Sequence, residues 1–276
     1  MEILDHNQII FIVTFVLISA IIVGFVAGLF GIGGGLITVP ALFYIFNSVG
    51  LSQEFVLHLA IGTSFAIIIP TSIVSTMTHI KFKGVDFSIV KTFGIFVVFG
   101  VILGTIFAAS LKTISLLLFF SIITMFISIY FLIVKEKLDP IPRKINFIYR
   151  VIFGSLSGFL SAPMGIGGGI FNTPILKIFG YPINIAIGTS AAIGFLTSLI
   201  GALGFIASGT YLNINAQYSL GFVNIPAFLI YAPVTMFMAK IGARTAQKAS
   251  KKLITKLFGI FLFLISCRLF FEYFSF

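Results

Sequence analysis

The sequence predicts an all-α polytopic membrane protein made of two inverted repeats, each a broken, re-entrant helix hairpin followed by three crossing helices. Three observations carry this. First, 59% of the 276 residues are hydrophobic and only 9% charged, with a mean hydropathy of +1.20, against about 25% charged residues in a soluble domain. Second, GLFGIGGGLITVP (Gly28–Pro40) returns as APMGIGGGIFNTP (Ala162–Pro174), 134 residues later. Third, AIGTS at Ala60–Ser64 is repeated letter for letter at Ala186–Ser190, at an offset of 126. Two motifs repeated in one order are the mark of an internal duplication. The first half carries eight extra residues between its motifs, around Asn47–Gln53. The halves are taken as residues 1–138 and 139–276.

Each half divides into five apolar pieces. They run 9–30, 35–46, 54–80, 86–110 and 113–135 in the first half. In the second they run 146–164, 169–179, 182–208, 215–240 and 252–274. Apolar runs of 18 or more residues mark membrane helices. The N-terminal run follows an acidic start without a basic region and is too long for a signal-peptide core, so it is read as a retained membrane segment. The second piece of each half has about a dozen residues. At about 1.5 Å per residue it cannot cross a hydrocarbon core about 30 Å thick. Pieces one and two therefore form a hairpin that enters and leaves on one side, with the glycine motif as its turn.

The charges agree with that path. With the Lys135–Lys144 link in the cytoplasm, 15 of the 17 basic residues fall on that side and only Lys112 and Arg268 outside. Glu2, Asp5, Glu54 and Glu272 fall outside as well. Excess Lys and Arg mark the cytoplasmic loops, so both termini are expected to be extracytoplasmic and the loops at 81–86, 135–150 and 240–252 cytoplasmic. An odd number of crossings per half gives the halves opposite orientations, an arrangement found in many secondary transporters. The net charge of +10 thus reports topology, not nucleic-acid binding.

The glycine motif has a physical reading in this solvent. Backbone N–H and C=O groups are not left unpaired in hydrocarbon, so an irregular turn at depth faces protein or a watery cavity. Glycines permit positive φ and let backbone approach a ligand. Short helices start near Gly35 and Gly169, and their first N–H groups lack internal partners and carry about half a positive charge. By inversion, two such ends meet near the midplane and form an anion site. The candidate binding residues are Gly33, Gly34, Gly35, Leu36 and Thr38 in the first half, and Gly167, Gly168, Gly169, Ile170 and Asn172 in the second. Thr63, Ser64, Thr189 and Ser190 of the AIGTS segments add hydroxyls, which bind an oxyanion or else back-bond to their own helix. The glycines could instead serve helix packing alone, the role assigned to Gly100 and Gly104.

Ionisable residues at depth are few. His79 is a candidate gating or proton-carrying group, with an interfacial histidine as the alternative. Lys91 lies one turn inside its helix, where its side chain can snorkel. No Asp or Glu falls clearly at mid-membrane, which argues against a carboxylate-built cation site. No phosphate-loop lysine, HExxH, CxxC or Ser–His–Asp set is present, so no enzyme activity is expected. Cys267 is the single cysteine, which rules out an internal disulfide and a cysteine metal cluster. No cofactor and no metal are called for.

The paired GxGGG–proline and IGTS motifs, repeated over nearly the whole chain, resemble the TauE/SafE sulfite exporter family. The matching positions are Gly31–Gly35 with Pro40, Gly165–Gly169 with Pro174, and the two AIGTS segments. The resemblance implies transport of sulfite, sulfoacetate or a related organosulfonate across a bacterial-type inner (plasma) membrane, with export the first reading and uptake of the same anions the second. A non-transporting membrane anchor is the reading from a different class. The partners implied are a small anionic substrate and the lipid bilayer, with no nucleic acid, and a second copy of the chain is left open as a homodimer partner. One departure is visible. Phe65–Pro70 reads FAIIIP, where Ala191–Leu196 reads AAIGFL, which makes the two half-sites unequal.

Overall fold

A computed structural model describes residues 6–31, 33–133, 145–214, 216, 218–246 and 251–275. Ile32, the Lys135–Lys144 link and residues 1–5 lie outside the described residues, and with them the expectations placed on the link and the N-terminus. The first half contains α1 (His6–Phe30), α2 (Gly35–Ser48), α3 (Val56–Lys81), α4 (Phe87–Thr92), α5 (Gly94–Ser110) and α6 (Thr113–Ile133). The second contains α7 (Phe147–Ser161), α8 (Gly169–Ile178), α9 (Ile183–Tyr211), β1 (Ser219–Leu220), β2 (Val223–Asn224), α10 (Ile225–Thr245) and α11 (Lys251–Ser275).

The fold is that of an all-α polytopic membrane protein. Among the described residues, α3, α6, α9, α10 and Val13–Phe30 of α1 are long and apolar enough to cross a membrane. The breaks fall where the glycine motifs stand: α2 and α8 have 14 and 10 residues, so each covers part of the hydrocarbon thickness.

Two segments depart from the expected pieces. The 86–110 piece breaks at Phe93 into α4 and α5. The 215–240 piece begins with a two-residue antiparallel hairpin, Ser219 opposite Asn224 and Leu220 opposite Val223, and its helix runs on to Thr245. The hairpin turns at Gly221, whose φ of 55° suits glycine. Pro226 at the start of α10 then fits a helix start, where no N–H partner is missed.

Packing is exchanged between the halves. α1 packs on α10, α7 packs on α5, and α3 packs on α9. α6 and α11 pair with one another. The exchanged pairs use small residues for backbone contact, the rule when hydrocarbon gives no hydrophobic drive between helices. A Cβ on Gly28 would stand 2.0 Å from the Ala239 carbonyl oxygen, and one on Gly100 would stand 2.0 Å from that of Ser155. A Cβ on Gly104 would lie 2.5 Å from the Phe159 carbonyl oxygen. Gly100 and Gly104 are thus packing residues. α3 is the most enclosed of the spanning helices, with Phe65, Ile67 and Ile68 fully buried.

Candidate functional site

The site is built where the two glycine motifs pass one another. Gly34, the N-cap of α2, has φ 82°, and Gly168, the N-cap of α8, has φ 73°. Both lie in the left-handed region, which glycine adopts without strain. Neither helix is capped by a side chain. Within each first turn the Gly34 carbonyl accepts from the N–H groups of Ile37 and Thr38, and the Gly168 carbonyl from those of Phe171 and Asn172. The preceding N–H groups at each start are the ones a helix cannot satisfy internally.

The stretches run antiparallel at close range. A Cβ on Gly33 would stand 3.5 Å from Gly167 Cα, and one on Gly35 would stand 2.1 Å from the Gly165 carbonyl oxygen. Ile68 from the middle of α3 covers the crossing, its Cγ2 2.7 Å and 3.2 Å from the Cβ positions of Gly33 and Gly167. At the AIGTS offset its counterpart in α9 is Gly194, whose Cα lies 3.3 Å from the Gly167 Cβ position. Leu36 and Ile170, next along each helix, are buried.

The AIGTS segments hold this crossing from both sides. Gly62 faces the Phe222 carbonyl and Gly188 the Gly84 carbonyl, with Cβ positions 2.3 Å and 2.2 Å from the oxygens. One residue on, the Thr63 hydroxyl accepts from the Asn224 N–H at 2.8 Å, and the Thr189 hydroxyl accepts from the Asp86 N–H at 2.9 Å. Asp86 and Asn224 are in turn the N-caps of α4 and α10. Sequence reasoning missed this pair. Its signal was an Asx residue before the fourth helix of each half, in GVDF (84–87) and FVNI (222–225).

The other candidate hydroxyls fare unequally. Ser64 donates to the Gly165 carbonyl at 2.9 Å. Thr38 donates to the Gly34 carbonyl at 3.1 Å, the local bond of a helix start. Ser190 is fully buried and its Oγ has no hydrogen-bond partner among the described residues. Asn172 is fully buried too: its Oδ1 accepts from Ser157 at 2.5 Å, and its Nδ2 has no partner among the described residues. Ser157 and Ser161 were also missed. They form an i, i+4 pair on α7 just ahead of the motif, a spacing that places both on one helix face.

His79, in the last turn of α3, is fully buried within the protein. Its Nε2 lies 3.3 Å from the Gly28 carbonyl oxygen, and its Cβ packs 2.9 Å from the Gly188 Cβ position. It therefore sits between the halves, beside an AIGTS glycine and apart from the glycine crossing. His58 is enclosed in a similar way, with Nε2 3.2 Å from the Ala108 carbonyl oxygen and its ring stacked on Phe222. Lys91 is exposed.

The profile of the family described as "Sulfite exporter TauE/SafE" matches residues 16–269. The chain belongs to the TauE/SafE family. A probable membrane transporter protein of Haemophilus influenzae is 32% identical over 260 residues, covering 93% of this chain and 98% of that one. A probable membrane transporter protein of Methanocaldococcus jannaschii is 34% identical over 238 residues, covering 84% and 87%. The probable membrane transporter protein YunE of Bacillus subtilis is 31% identical over 275 residues, covering 92% and 96%. No solved structure matches the chain. As a TauE/SafE protein the chain is a multi-pass membrane transporter. The family profile extends over both glycine motifs and both AIGTS segments.

Proposed function

We propose that the chain is a secondary transporter of small sulfur-containing anions, such as sulfite, sulfoacetate or another organosulfonate, and that it exports them across the inner (plasma) membrane. The observation that carries this is the pair of uncapped helix starts at Gly34 and Gly168, brought side by side by antiparallel glycine stretches. Helix starts attract anions through free N–H groups and the helix dipole. The polar side chains placed against them are neutral: Asn172 and Ser161 beside Gly168, Thr38 on the Gly34 carbonyl and Ser64 on the Gly165 carbonyl. Neutral donors suit an oxyanion that must be bound and then released.

The halves, 1–138 and 139–276, act as inverted repeats with both termini outside. The exchanged contacts support this reading, since Thr63 of the first half meets Asn224 of the second, and Thr189 of the second meets Asp86 of the first. Rocking one half against the other about the α3–α9 contact would open the site to one side at a time.

The test is flux of labelled sulfite and sulfoacetate into and out of proteoliposomes holding the purified chain. Saturable flux of either, competed by the other and faster in the export direction, is the expected result. Equal flux in empty liposomes overturns transport of these anions, and flux only in the uptake direction reverses the assignment of direction.

A further inference from the structure

The two helix starts differ in what surrounds them. Around Gly34 the side-chain neighbours are apolar: a Cβ there would meet Val23 Cγ1 at 2.8 Å and Ala27 Cβ at 3.3 Å, besides the Val23 backbone carbonyl oxygen at 3.0 Å. Around Gly168 two of them are polar: a Cβ there would meet Asn172 Nδ2 at 3.0 Å and Ser161 Oγ at 3.6 Å, with the Thr197 methyl at 3.6 Å as well. At the motif's offset of 134, Val23 corresponds to Ser157, Ala27 to Ser161 and Thr38 to Asn172. Duplication gave both halves the same backbone break, and substitution made only one of them rich in side-chain donors.

The polar set is also oriented. Ser161 donates to the Ser157 carbonyl at 2.6 Å, and the Ser157 hydroxyl donates to Asn172 Oδ1 at 2.5 Å. That bond holds the amide so that its NH₂ faces the N-cap of α8. Asn172 and Ser161 are fully buried and Ser157 nearly so. A fully buried amide donor at a helix start, left without a partner among the described residues, is costly unless something accepts from it. Thr38, its counterpart in α2, has no such surplus, because its hydroxyl is used on the Gly34 carbonyl.

We propose that the substrate's oxyanion group is bound at one break only, the start of α8, by the Gly168–Ile170 N–H groups and Asn172 Nδ2. Ser157 is a positioning residue that acts through Asn172, and the start of α2 with Val23, Ala27 and Ile68 faces the uncharged remainder of the substrate. This rests on the anion-transport reading above. It selects anions with one charged oxyanion end and a small uncharged end, the shape of an alkanesulfonate.

The test is equilibrium binding of sulfite and of methanesulfonate to the purified full-length chain in detergent, with size-exclusion profile and thermal midpoint as folding controls. Asn172→Thr, which installs the first half's residue, is expected to weaken both anions about tenfold or more, the size of a lost hydrogen bond to a charged group. Ser157→Val should weaken them several-fold with the fold intact, and Ser157→Thr, which keeps the hydroxyl, should restore binding. Methanesulfonate should bind at least as well as sulfite. Lys91→Gln, at an exposed side chain that takes no part in the proposed site, should leave binding unchanged. If Asn172→Thr and Ser157→Val fold and bind as the unaltered chain does, the one-sided site is wrong while the transport reading stands. If the unaltered chain binds neither anion, both fall. Should Asn172→Thr fail to fold, the Ser157→Val and Ser157→Thr pair decides alone.

Discussion

The Thr63 hydroxyl of α3 accepts a hydrogen bond from the backbone N–H of Asn224, 161 residues away and in the other half of the chain. Thr189 of α9 does the same for Asp86 in the first half. The same letter of the same motif therefore clasps the start of the fourth helix of the opposite half, twice. Each clasp stands beside a glycine, Gly62 or Gly188, that brings the loop's carbonyl into backbone contact.

Replacing either threonine by valine keeps the shape and removes the acceptor. The buried Asn224 N–H then loses its partner, which costs about 1–3 kcal/mol, and the part-buried Asp86 N–H loses its own at the lower end of that range. Thr63→Val and Thr189→Val should each lower the thermal midpoint of the purified protein, while Thr63→Ser and Thr189→Ser hold near the original value. Midpoints that do not move in the valine variants would remove the clasps from the account of stability.

Much of this arrangement was legible in the sequence. The glycine motifs announced two helix breaks because no soluble strand or phosphate loop accompanied them, and Gly34 and Gly168 do cap short helices in the left-handed region. The roles of the AIGTS hydroxyls were not legible. A threonine in a membrane helix can bond its own carbonyls, a ligand or a distant loop, and only the fold brings Asp86 to Thr189. The Ser219–Asn224 hairpin was hidden because two-residue strands are too short to show a periodicity. Ser157 and Ser161 were passed over because they lie outside the repeated letters, and the difference between the halves at those positions is what sets them apart.

Gly34→Val and Gly168→Val both place a branched side chain at positive φ, which costs about 1–2 kcal/mol in the backbone alone. They also fill the space at a helix start. Each should abolish anion flux in proteoliposomes while leaving some folded protein on size exclusion. Normal flux in both variants would separate the breaks from the transport path.

Topology can be read from single cysteines in a Cys267→Ser background, since Cys267 is itself exposed. Ser52→Cys, in the α2–α3 loop, should react with an impermeant thiol reagent on intact cells. Lys83→Cys, in the α3–α4 loop, should react only after the membrane is opened. The reverse pattern would invert the assignment drawn from the basic residues.

The two AIGTS serines should respond differently to alanine. Ser64 donates to the Gly165 carbonyl inside the second glycine stretch, so Ser64→Ala leaves a buried carbonyl short of a partner and lowers stability by about 1–3 kcal/mol. Ser190 is as deeply buried but its Oγ is unpaired among the described residues. An unpaired buried hydroxyl is itself a cost, so Ser190→Ala should leave the thermal midpoint of the anion-free protein unchanged or raise it. If Ser190 completes the shell of the bound anion, the same change weakens apparent affinity by roughly 0.5–3 kcal/mol, the range for hydrogen bonds to charged groups and unmet donors. Stability held or raised with affinity lost is a combination that a purely structural serine does not give. The reading is falsified if Ser190→Ala lowers the anion-free midpoint as much as Ser64→Ala does and leaves anion binding intact.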